Sequence, residues 1–150
     1  MATGEMKHVG LMQVAPGLVD TLRCSAADVR QQMVERACLL AARRAGVSDP
    51  TLFQALDVIR RRCSGDAVLR GEVDLLAQEL DDLAWGIQQS LEAGVVAESE
   101  YLRAFAKARA VAAIGFALDG SFASSCDSLY EAYHAIGDKD DFMRAVVTER

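Results

Sequence analysis

Proline, histidine and aromatic residues are scarce in this chain, and lysine and arginine vanish from one long stretch of it. Two prolines in 150 residues leave few points where helices must break. Aromatics make up 6%, and β-branched residues are few beside the abundant alanine, which favours helix over sheet. No run reaches the roughly 18 apolar residues needed to span a bilayer. The longest, Ala110 to Leu118, has the length of a buried helix segment. The first ten residues show no basic region followed by an apolar run, so no secretory signal is read there and a cytoplasmic location is expected.

Cys24, Cys38, Cys63 and Cys126 lie far apart with no CxxC clip, which argues against a zinc site. A chain of this length buries about 68–70% of its unfolded surface, enough for a core without staples. The cysteines are therefore expected to be reduced, with Cys38, Cys63 and Cys126 on apolar helix faces. Glycine-rich phosphate loops are absent.

The missing cations fall between Gly71 and Leu102. Eight carboxylates occupy that stretch (Glu72, Asp74, Glu79, Asp81, Asp82, Glu92, Glu98, Glu100) without one lysine or arginine. Residues 1–70 hold ten Lys/Arg against seven Asp/Glu, whereas residues 71–150 hold six against fifteen. Phosphates would be repelled by the second half, so nucleic-acid binding is disfavoured there.

Helical periodicity organises the chain from Ser25 onward. Ser25 and Asp28 form a capping box ahead of Val29, Met33, Ala37, Leu40 and Ala41, and Gly46 supplies the stop. Asp49-Pro50 opens a second helix with Leu52, Leu56, Ile59 and Cys63 as its stripe. Asp66 caps a third, whose Leu69, Val73, Leu76, Leu80, Leu83, Ile87 and Leu91 repeat at near-heptad spacing to Gly94. The fourth, from about Ser99 to Asp119-Gly120, is apolar all round near its end and is expected to be central, with Ala112, Ala113 and Gly115 admitting a close neighbour. Phe122 to Ile136 and a short helix from Asp138 complete the pattern. Residues 1–24, punctuated by Gly4, Gly10, Pro16 and Gly17, read as an irregular N-terminal strap with a short helical turn over Pro16 to Leu22. The expected fold is all-α: a compact single-domain bundle of five or six antiparallel helices over residues 25–150, with the strap lying on it.

Catalytic constellations are weak. Glu5-x-x-His8 and Glu131-x-x-His134 each match the short motif that builds di-iron sites in bundles. Helical phase points Glu131 away from the Cys126–Leu129–Tyr133 stripe, however, and a boundary histidine beside Tyr133 is preferred. Neither metal nor cofactor is expected, and the protein is read as a non-enzyme. A metal-binding bundle or enzyme centred on Glu131 and His134, with Tyr130, remains the alternative. Ser124-Ser125-Cys126 has no histidine placed to activate the thiol, because His134 lies about 12 Å further along the helix axis. The adjacent Asp81 and Asp82 diverge by about 100° on a helix and cannot share a proton. Arg60-Arg61-Arg62 is the densest positive cluster, and a weak nucleic-acid contact through Arg61 and Arg62 is a third reading.

Trp85 carries the preferred one. It falls about 140° from the Leu69–Leu91 stripe, among Asp74, Gln78, Asp82 and Gln89, with Leu75 near the same face. A tryptophan among polar groups on a surface helix has the form of an interface anchor. Burial beneath the N-terminal strap or the sixth helix is the competing expectation. The chain is thus read as an adaptor, regulatory or immunity-type interaction protein whose acidic face binds a basic protein partner or a second copy of itself.

Overall fold

The computed structural model describes residues 9–62 and 67–147, and these are all-helical. Eight helices are found among the described residues: α1 (Val9–Val14), α2 (Pro16–Cys24), α3 (Ala27–Ala45), α4 (Pro50–Arg60), α5 (Ala67–Glu92), α6 (Glu98–Ala117), α7 (Phe122–Ile136) and α8 (Lys139–Val147). The last six correspond to the periodic segments. The other two replace the irregular strap, because Pro16 sits at the first position of α2, where a proline starts a helix instead of breaking one.

Residues 9–24 are also part of the core. Leu11, Ala15, Leu18, Val19 and Leu22 are buried in the same cluster as the later helices. Helix α1 docks on α7 at Gly10, where an added Cβ would lie 2.9 Å from the Tyr130 ring. The glycine read as punctuation is a point of close approach.

Helix α6 is the centre. It packs most extensively on α5 and α7 and also meets α3. Ala110, Val111, Ala113, Ile114, Gly115, Ala117 and Leu118 are buried, as an all-round apolar helix requires. The small residues do admit neighbours: Ser128 Oγ of α7 donates to the Ala113 carbonyl at 2.8 Å, and a Cβ on Gly115 would lie 3.1 Å from an Asp74 oxygen of α5.

Two boundaries depart from expectation. Ser25 does not cap α3; its hydroxyl donates back to the Thr21 carbonyl at 2.6 Å, closing α2 instead. Helix α3 starts after Ala26 with no side-chain cap, and Val29 is 43% exposed, so its buried stripe runs through Met33, Val34, Ala37, Cys38, Ala41 and Ala42. Elsewhere the local chemistry acts as read. Asp49 accepts from the Thr51 backbone N–H at 2.8 Å, and Gly46 ends α3 in the left-handed region at φ 75°. The Cys63, Ser64-Gly65 and Asp66 boundary and the Glu5/His8 pair lie outside the described residues.

Part of the charge asymmetry of the sequence is met by contacts between the two halves. Arg36 donates to the carbonyls of Ala145 and Val146 at 2.8 and 2.7 Å, holding the end of α8. Arg44 pairs with Asp141 and Arg70 with Asp119, each at 2.9 Å. Basic residues of the first half thereby tie down elements of the second.

Candidate functional site on helix α5

Helix α5 has 26 residues and α4 only 11, so about 39 Å of helix runs beside about 16 Å. The proximal part of α5 is covered: Leu69 and Val73 are buried, and Leu76 and Leu80 are partly buried near Leu52. Beyond them cover is broken at Leu83. Leu83 is 55% exposed, and Ala84 is the deepest residue of the distal half. The heptad-like stripe was expected to be bundle seam throughout. Leu83 interrupts it, while Ile87 and Leu91 are partly buried like Leu76 and Leu80, and Ala84 and Asp81 face α6.

Trp85 is 62% exposed. The two helices of the N-terminal segment dock on α7, and α8 packs on α3 and α7. Cover by the strap or by the last helix is therefore not what the described residues show. Asp82 and Gln89 lie one turn below and above Trp85 on the same face, and Gln78 donates to Asp82 at 3.0 Å. Asp74 lies further down that face, in a shallow groove with Arg70, Gln78, Asp81, Gly115 and Phe116. Leu75 is 66% exposed but ten residues from Trp85, about 15 Å along the axis and roughly 80° around it. Trp85, Gln78, Asp82 and Gln89 share one face of α5, and Leu75 lies one turn below Gln78 at its far end.

Asp81 has a different role. Arg109 of α6 bridges it to Glu131 of α7, with Nη1 donating to Glu131 Oε1 at 2.6 Å and Nη2 donating to Asp81 Oδ1. Burial would lower the pKa of the Arg109 guanidinium, but Glu131 and Asp81 outweigh it and the value is raised. Sequence reading missed this bridge. Its trace is an arginine directly before the apolar run of α6, opposite a segment with no cation of its own.

The bridge also corrects the placement of Glu131. Its side chain is 15% exposed and bound to Arg109, not directed into solvent. His134 lies edge-on to Tyr130, Tyr133 and Phe105, with ring centroids 4.7, 5.2 and 6.4 Å away. His134 is partly buried beside Tyr133. No group of three His, Cys, Asp or Glu side chains that could hold a metal is found among the described residues.

Cys38 and Cys126 are fully buried. Burial pushes the Cys38 thiol up to about 12 and the Cys126 thiol up to about 11, the opposite of what a nucleophile needs. Arg60 and Arg61 both pair with Asp57, whose carboxyl is held below its ordinary range chiefly by the Arg60 hydrogen bond. Arg62 follows the end of α4, exposed, at φ 55°. Among the described residues no helix is long and apolar enough to cross a membrane.

No protein-family model, no curated protein and no solved structure matches the chain.

Proposed function

We propose that this protein is a non-catalytic interaction module, of adaptor, regulatory or immunity type, that presents the Trp85 face of α5 to a basic protein partner. The observation that carries the reading is the exposure of Trp85 in a patch with Gln78, Asp82 and Gln89. An exposed indole beside carboxylates offers an apolar anchor within a field that attracts cations. Tryptophan is enriched among the few residues that dominate binding energy, while the surrounding charge speeds encounter and rejects wrong partners. Asp81 is engaged with Arg109, so the free negative charge near the anchor is that of Asp82 and, further along the helix, Asp74.

The test compares partner capture by the wild-type chain and Trp85→Ala from the source cell. The partner is expected to be basic, to be lost with Trp85→Ala by roughly 30-fold or more in affinity, and to release as salt rises. Iodide quenching of Trp85 fluorescence accompanies it. An indole protected from iodide in a proven monomer would sink the reading.

A further inference from the structure

The opposite face of the α5–α6 hairpin carries a second surface. Leu76, Leu80, Leu83 and Ile87 step by four, three and four residues and so share one side of α5. Leu76 and Leu80 line a groove with Leu52, the α3–α4 turn and Lys107 of α6. Past that turn Leu83 is 55% exposed, and Ile87 and Leu91 are partly buried, as Leu76 and Leu80 are. Trp85, two residues beyond Leu83, lies about 160° round the helix, so the two faces are separate.

This face has a charged edge of each sign. Antiparallel register, fixed by Arg70–Asp119 and Arg109–Asp81, sets Lys107 of α6 level with Leu83 and Arg103 level with Ile87. Arg103 lies one turn from Lys107 on the same side of α6. Along the α5 border, Glu79 lies within one turn of both Leu76 and Leu83. Arg103, Lys107 and Glu79 are exposed, and none makes an ion pair with the described residues. An apolar strip thus runs between an acidic border on α5 and a basic border on α6.

We propose that this face binds a second copy of the chain, the distal halves of two α5–α6 hairpins forming a four-helix contact about a two-fold axis along the hairpins. That axis lays α5 of each copy on α6 of the other. The strips then bury one another, and each Glu79 comes within about one helical turn of the partner's Lys107, an offset the two long side chains can span. A second copy suits this face because its two borders are mutually complementary under that symmetry. The contact spans about three helical turns, roughly 16 Å, and two helix widths, which places it at the low end of interface sizes. Dissociation in the micromolar range follows, and both Trp85 faces stay outside the contact.

Sedimentation equilibrium from about 1 to 500 µM tests this, the range bracketing a dissociation constant on the order of micromolar. The wild-type mass should rise from 16.2 kDa towards twice that value. Leu83→Glu, at an exposed position, should keep its helical circular dichroism and weaken the dimer at least tenfold. Trp85→Ala should leave the dimer intact, which separates this contact from the acidic face. Glu79→Lys should weaken dimerisation, and adding Lys107→Glu to it should restore it. A wild-type chain that stays monomeric throughout, a dimer indifferent to Leu83→Glu, one abolished by Trp85→Ala, or a failed charge-swap rescue would each overturn the proposal.

Discussion

The guanidinium of Arg109 donates to Glu131 at 2.6 Å across the α6–α7 seam while its other nitrogen holds Asp81 of α5. Three helices are joined by one side chain that is 19% exposed. Breaking a buried pair by removing one partner costs more than the pair contributes, because the remaining charge stays desolvated. Asp81 is 43% exposed and screened by water, so the penalty falls on Glu131, which is 15% exposed. Arg109→Ala is expected to lower stability by about 2–3 kcal/mol in urea unfolding, with Glu131→Gln added to it recovering part of the loss. A loss below about 0.5 kcal/mol would show that the bridge carries no structural weight.

Acid should remove the stability that depressed carboxylates supply, chief among them Asp119 at the end of α6. Asp119 is held well below the usual carboxylate range by the Ser121 and Ser124 hydroxyls, with Arg70 adding to them against the effect of burial. Asp57 and Asp141 are lowered as well, first by the hydrogen bonds from Arg60 and Arg44 respectively. A carboxyl depressed in the folded state binds fewer protons folded than unfolded. Its stabilisation is complete above the unfolded value of about 3.9 and is lost as pH falls through the folded value. Stability is therefore expected to fall below about pH 4 and to do so less steeply in Asp119→Asn, as read from urea midpoints between about pH 2 and 6. Equal slopes for the two proteins would remove Asp119 from this account.

The N-terminal helices depend on a missing side chain. Gly10→Ala places a methyl group 2.9 Å from the Tyr130 ring, which is itself packed against His134 at 4.7 Å. The ring has to move, and overpacking of this kind costs about 1–3 kcal/mol. Faster amide exchange in residues 9–24, with α6 and α7 unchanged, is the expected signature. Unaltered exchange in α1 would mean that Tyr130 yields freely.

The sixfold helix pattern from Ser25 onward was legible because each segment carries its own punctuation. Asp49-Pro50, Gly46 and Gly137 act through bonds within a few residues, and these need no knowledge of distant neighbours. Ser25 shows the limit of that logic. It had two possible backbone partners, and the helix before it, legible in sequence only as a short turn over Pro16 to Leu22, took the hydroxyl. Val9 to Cys24 forms two helices where glycine and proline suggest an irregular strap. One marks a helix start, and the other a contact with a residue 120 positions away.

Composition, periodicity and capping sufficed to establish an all-helical chain, a central α6 and an acidic α5, since these depend on backbone preference and local spacing. Whether each residue of the α5 stripe is seam or surface depends on what packs beside it, and neighbours across space are not a local property. The same holds for the carboxylates: the sequence shows eight together, but the fold removes Asp81 into the Arg109 bridge and leaves Asp82 beside an exposed Trp85. Charge and exposure at a given residue are set by what long-range packing brings to it.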